Sequence, residues 1–319
     1  MNKQRRAVIE NNQISEVITV SLGQRDQKIM IEGKSEKLPV VIALHGGPGS
    51  PIPFCVGARG LFPEFTDKCI LVCWDQYGCG INNAKLSEDM CIDDIVHMTT
   101  DLIDVLKKRF PTNKLFLFGM SWGSILAVRA ANKRMDSVDG VFTYGQVLRD
   151  LMRSEEVMNA ILNSTASDKV KKEVKRIVEE KDNSYDASMK MSQYVRKYTF
   201  GYTNPKEPKA PIGKMIQGML FSPDYRFVDF KAMVVNGYLK NRSLINELAQ
   251  VDLREDLEAV TVPYHIIQGD ADVVTSTKMI DAFVKEINHP NLTCTIIKDS
   301  AHSPGMNGMQ AVMDEIEAI

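Results

Sequence analysis

The chain has 319 residues, 44% of them hydrophobic and 25% charged, and its 39 lysines and arginines against 41 aspartates and glutamates leave a formal net charge of −2. That is the composition of a globular protein able to build a large core, and the near balance of charge argues against a polyanion-binding surface for nucleic acid. At roughly 100 to 200 residues per domain, one large domain or a core carrying a sizeable insertion is expected.

In chain order, the opening MNKQRRAVIENNQ follows its basic residues with a mixed polar stretch, where a secretory leader needs roughly 7 to 15 apolar residues. No apolar run approaches the ~18 residues of a membrane span, so a soluble, cytoplasmic protein is expected. EVITVSLG and QKIMIEG alternate apolar and polar residues and read as an antiparallel hairpin with one solvated face. PVVIALH (39–45), CILVCWD (69–75), KLFLFG (114–119) and GVFTYG (140–145) are short, nearly continuous apolar runs, the pattern of strands covered by helices on both faces. Between them, residues 92–110 place Ile92, Ile95, Leu102, Ile103 and Leu106 near one stripe, with acids early and Lys107, Lys108 and Arg109 late, as a helix dipole favours.

From Gln146 to Val260 the strands vanish and the text turns helical and mixed in charge, as in VKKEVKRIVEEK, where Val170, Val174, Ile177 and Val178 keep helical spacing. Residues 201–214, GYTNPKEPKAPIGK, read as a loop or hinge. Alternation then resumes with strands at 263–269 and 291–299 and helices at 276–287 and 309–319. The expected class is α/β: a mostly parallel, doubly wound sheet formed by residues 1–145 and 261–319, interrupted by a helical cap at 146–260. Six cysteines (Cys55, Cys69, Cys73, Cys79, Cys91 and Cys294) show no CxxC or Cys/His metal spacing and read as reduced thiols.

The chemistry gathers around FLFGMSWGSILAVRAA, in which Gly119, Ser121 and Gly123 form G-x-S-x-G between an apolar strand and an alanine-rich helix. A sharp strand-to-helix turn exposes the serine Oγ at the carboxyl edge of the sheet, and the helix N-terminus favours developing negative charge. A serine needs a base. Of five histidines, His97 lies in a helix, His265 in a strand, and His289 before its strand; His45 belongs to a glycine turn. That leaves His302, in the loop after the last strand, as the base. An acid must orient it, and both Asp270 and Asp272 directly follow the strand ending IIQG. For the oxyanion, one donor is the N–H of Trp122, after the nucleophile, and a second is expected from HGGPG (45–49).

These motifs together resemble the prolyl aminopeptidase (proline iminopeptidase) family of α/β hydrolases: HGGPG at 45–49, DQ at 75 and 76, GMSWGS at 119–124, GDAD at 269–272 and the late His302 stand in the family's order. The resemblance implies Ser121 as nucleophile, Asp272 over Asp270 as acid, His302 as base, an oxyanion hole from the N–H groups of Gly47 and Trp122, a helical cap, and no cofactor. It implies an acyl-enzyme mechanism on a small-molecule or short-peptide substrate, an aminopeptidase releasing a small residue such as proline. A carboxylesterase on small acyl esters is the alternative, and a non-catalytic binder the rival of another class. Dehalogenase- or epoxide-hydrolase-type relatives place a carboxylate where this chain has Ser121. Three departures stand out: Tyr77 replaces an arginine, Met120 a glycine, and the candidate ammonium-binding acids Glu155, Glu156, Glu173 and Glu247 lie in no recognisable motif.

Overall fold

The computed structural model describes residues 2–235 and 237–319. Eight strands make one sheet: β1 (Ile14–Leu22), β2 (Arg25–Gly33), β3 (Val40–Leu44), β4 (Ile70–Trp74), β5 (Leu115–Met120), β6 (Gly140–Tyr144), β7 (Tyr264–Gly269) and β8 (Leu292–Ile297). Their spatial order is β1-β2-β4-β3-β5-β6-β7-β8. The pairs β1/β2 and β2/β4 are antiparallel and the other five are parallel. Every residue of β3, β4 and β6 is buried, as their unbroken apolar text requires of strands covered on both faces.

The long helix Ile92–Arg109 shows how local sequence and packing agree. Ile92, Ile95, Leu102, Ile103 and Leu106 are buried on the sheet, at roughly 1.5–3 kcal/mol each relative to exposure. At its N-terminus, Asp94 accepts the Cys91 N–H at 2.9 Å and Glu247 accepts the Ile92 N–H at 2.9 Å, satisfying donors that a first turn leaves free.

One element was not foreseen, and three expectations are corrected. Residues Lys3–Asn11 form a helix, although their text is mixed and polar. Arg5 explains it: its buried guanidinium donates to the carbonyls of Arg59 (2.5 Å), Gly218 (2.5 Å) and Gly57 (2.6 Å), so tertiary bonds hold what local propensity does not. The hairpin does not keep a solvated face throughout, because Ile29–Gly33 is buried on both sides. The 201–214 loop ends at Pro211, where the helix Ile212–Leu220 begins. The closing helix starts at Met306 rather than 309.

Between β6 and β7 the described residues form helices at Glu155–Leu162, Asp168–Glu179, Tyr185–Tyr198, Ile212–Leu220, Phe227–Val234, Arg242–Leu248 and Arg254–Glu258, with a short 3-10 turn at Tyr238–Lys240. The first three share an apolar cluster of their own, including Val157, Ile161, Val174, Ile177 and Met191, which also takes in Val274 beyond β7. No helix among the described residues is long and apolar enough to cross a membrane. The chain passes from β3 outward to β4 and then crosses back to β5 on the other side of β3. Such a reversal opens a crevice at the carboxyl ends of the strands, where α/β sheets bind ligands.

Candidate active site

Ser121 follows β5 at that crevice. It has φ +52° and ψ −117°, a conformation rare for a residue with a side chain, and its N–H donates to the Tyr144 carbonyl at 2.9 Å. The flanking glycines explain how the turn closes. A Cβ on Gly123 would lie 1.9 Å from the Leu44 carbonyl oxygen, and one on Gly119 would lie 2.7 Å from that of Gly123. Only glycine lets the new helix, Trp122–Lys133, start so close to β3.

His302 reaches the serine from the loop after β8. The Ser121 hydroxyl donates to His302 Nε2 at 2.8 Å, and His302 Nδ1 donates to Asp272 Oδ2 at 2.8 Å. An ionised carboxylate only accepts, so the pair requires the Nδ1–H tautomer and leaves Nε2 free to take the hydroxyl proton. Asp272 is fully buried. Its Oδ1 accepts the N–H groups of Val274 (2.8 Å) and Thr275 (3.1 Å), and its Oδ2 also accepts the Thr275 hydroxyl (2.7 Å). Asp270, by contrast, is exposed and makes no contact with the imidazole.

The loop carrying His302 is clamped from two directions. Tyr144, ending β6, donates to the Ala301 carbonyl at 2.7 Å, while the N–H groups of His302 and Ser303 donate to the carbonyls of Gly201 and Tyr202, each at 2.9 Å. The Tyr202 ring meets the imidazole edge-on at 5.6 Å. Glu207 accepts the Ser300 hydroxyl and the Gly308 N–H, each at 3.0 Å. Neither Tyr202 nor Glu207 carried a sequence signal; both lie in text legible only as a loop.

The HGGPG turn abuts the serine, since a Cβ on Gly46 would fall 3.4 Å from Ser121 Cβ. Gly47 has φ +129°. Trp122, first residue of its helix, has an N–H with no intrahelical acceptor. His45 and Gln76 tie these parts together. Gln76 N–H donates to His45 Nε2 (3.1 Å), Gln76 Nε2 to the His45 carbonyl (3.2 Å), and Trp122 Nε1 to Gln76 Oε1 (2.9 Å). Burial lowers the His45 pKa to about 4, which keeps the ring a neutral acceptor.

The neighbouring Asp75 accepts the N–H groups of Val56 (2.9 Å) and Ile81 (2.8 Å) and the Tyr225 hydroxyl. Burial pushes its pKa up to about 6 against the pull of those bonds. Tyr77, in the place of the family arginine, instead carries the Arg25 guanidinium 4.8 Å above its ring. Burial raises the thiol pKa values of Cys55, Cys69, Cys73 and Cys79, so these remain protonated apolar fillers. Among the described residues no group of three or more His, Cys, Asp or Glu could hold a metal.

Ser121 and His302 open on a cavity of about 820 Å³ that Gly47, Met120 and Phe62 also line. None of Glu155, Glu156, Glu173 and Glu247 lines it. Glu156 accepts from Ser276 (2.8 Å), Glu173 from Lys190 and Tyr194 (each 2.6 Å), and Glu247 caps the helix at Ile92. The charged side chains that do line it are Glu64, Arg153 and Arg196, the arginines having given no signal in the sequence.

A strand-turn-serine at the switch point of such a sheet defines a class, and the chain belongs to it: residues 39–308 match the family described as the alpha/beta hydrolase fold. Among curated proteins it is similar to the probable aminopeptidase YbaC of Bacillus subtilis, 24% identical over 299 residues that cover 92% of this chain and 93% of the relative. It is also similar to a proline iminopeptidase of Saccharolobus solfataricus, 25% identical over 289 residues, covering 85% and 80%. The crystal structure of proline iminopeptidase from Mycobacterium smegmatis superposes with a TM-score of 0.62 at 16% identity over 95% of this chain and 97% of that one, a likeness of fold.

Proposed function

We propose that this protein is a serine hydrolase that works through an acyl-enzyme. The observation that carries the reading is the unbroken chain of two 2.8 Å hydrogen bonds from Ser121 through His302 to Asp272 at the wall of a cavity. In this mechanism Ser121 attacks a carbonyl as His302 takes its proton. Asp272 holds the imidazole tautomer and stabilises the imidazolium, and the N–H groups of Trp122 and Gly47 receive the oxyanion. His302 then protonates the leaving group, and water releases the acid by the reverse sequence. Residues 146–260 act as a cap. In support, Leu151, Met152, Ser188, Tyr202 and Met215 from that stretch line the same cavity as Ser121.

Two substrate readings follow. Release of a small N-terminal residue such as proline is supported by the names of the relatives. Hydrolysis of an acyl ester is supported by the cavity wall, where two arginines stand against one carboxylate, Glu64, among the described residues. A terminal ammonium left unpaired beside the buried Arg153 is unfavourable. Prolyl and alanyl arylamides assayed beside short acyl esters decide between them. Turnover of esters alone discards the peptidase, turnover of arylamides with free amino termini discards the esterase, and turnover of neither by well-folded protein favours a binder.

A further inference from the structure

Among the described residues, the cavity wall holds one buried charged side chain whose bonding within the protein is incomplete. Arg153 is only 7% exposed. It donates to the Ser188 hydroxyl and, at a long 3.4 Å, to the Leu151 carbonyl, and its Nε has no hydrogen-bond partner. No carboxylate lies within 4.0 Å of it among the described residues. The two acids that influence it from farther away are engaged elsewhere, Asp150 with Arg149 at 3.4 Å and Asp182 with Arg176 at 2.9 Å. The loop presenting Arg153 is itself held in an uncommon shape: Asp150 and Met152 have φ of +48° and +59°, and the Met152 N–H is fixed to the Val274 carbonyl at 2.9 Å.

A second cation lies nearby, Arg196, stacked 3.8 Å over the ring of Tyr202, which in turn touches the imidazole of His302. Much of the remaining wall is apolar and adaptable, with methionines such as Met120, Met189, Met215 and Met309. A guanidinium is a planar fork matched to a carboxylate, and a desolvated, incompletely bonded one gains most from meeting such a partner.

We propose that Arg153 anchors a carboxylate of the substrate, so that this enzyme hydrolyses anionic esters or amides whose charged end lies away from the scissile carbonyl. The chemistry rests on the serine-hydrolase reading; the anion site does not. The carboxylate has two sources, the far end of a dicarboxylic acyl chain or the C-terminus of a short peptide, and the test separates them.

Binding to the full chain carrying Ser121→Ala, which needs no turnover, is measured by calorimetry with N-phenylglutaramic acid against its methyl ester, and with alanylalanine against alanylalanine amide. The charged member of at least one pair binds roughly ten- to hundredfold more tightly than its neutral partner. Adding Arg153→Gln brings that ratio close to one, and Arg153→Lys keeps part of it. A preference within the first pair identifies an acyl carboxylate, and within the second a peptide carboxylate. Equal binding within both pairs, or a preference that survives Arg153→Gln, overturns the proposal. Should the glutamine variant fail to fold, the ratios in Ser121→Ala and in the lysine variant still decide. In the enzyme with Ser121 intact, turnover of neutral esters without charge preference would refute the anion site while leaving the hydrolase standing. Charge-selective binding without turnover of any ester would do the reverse.

Discussion

The two sides of the cavity differ in how completely their polar groups are bonded. Around Ser121 the acid and the groups behind the HGGPG turn have their partners within the protein: Asp272 alone accepts from Val274, Thr275 and His302, and His45 and Gln76 close a ring of bonds. Around Arg153 the bonding stops short. Groups that must keep one geometry through a reaction are fixed beforehand by internal bonds. Groups that select a ligand leave part of their capacity to be filled by it. Arg5 is the control: it is as deeply buried as Arg153, yet it donates to three carbonyls between 2.5 and 2.6 Å, so it is saturated and structural.

The sharpest way to break this contrast is at the bonded side. Asp272→Asn should lower kcat by about 10⁴-fold, because an amide no longer selects the imidazole tautomer. Asp270→Asn should leave kcat within about threefold, since surface changes away from bonded groups have small effects. Steady-state rates on whichever ester or arylamide is turned over check both, and similar losses in the two variants would refute the assignment of the acid. The loss of charge discrimination on replacing Arg153, described above, is next in size.

The smallest expected effect lies in the pH dependence of stability, because two buried groups behind the HGGPG turn oppose one another. Asp75, raised to about 6 from the usual 3.8, contributes stability that is complete below pH 3.8 and is lost as pH rises through 6. His45, lowered to about 4 from 6.5, contributes stability that is complete above pH 6.5 and is lost as pH falls through 4. Removing the first should expose the second. From pH 4 to pH 6, Asp75→Asn should therefore gain on the order of 2 kcal/mol more unfolding free energy than the unaltered protein does. Denaturant titrations across that range test this, and parallel curves would rule it out.

The sheet was legible because its strands are unbroken apolar runs, and Ser121 because only glycine fits on either side of it, as the 1.9 Å approach of a Cβ on Gly123 to Leu44 makes plain. Asp270 and Asp272 were not separable by local text. What distinguishes them is a turn that directs the N–H groups of Val274 and Thr275 onto Asp272, a three-dimensional event that the family's order anticipates and residue types do not. Of the acids named in the intervening helices, Glu156, Glu173 and Glu247 proved to be capping and pairing groups, for which Glu247 on Ile92 is typical. Arg153 was invisible because an arginine beside Ser154, Glu155 and Glu156 reads as solvated surface. Its burial arises only when the loop after β6 folds against Val274 and Ser188. The N-terminal helix escaped for the same reason, its stability coming from the carbonyls that Arg5 meets far along the chain.

The central claim is that His302 and Asp272 make the hydroxyl of Ser121 nucleophilic. Its most direct test is covalent modification of the folded protein by a fluorophosphonate, mapped by mass spectrometry, with Ser121→Ala and His302→Ala alongside. The account predicts one label per chain, on Ser121, absent from the alanine variant at 121 and slowed by orders of magnitude when the histidine is replaced. A folded protein that takes no label, or takes it on a serine other than Ser121, would contradict it.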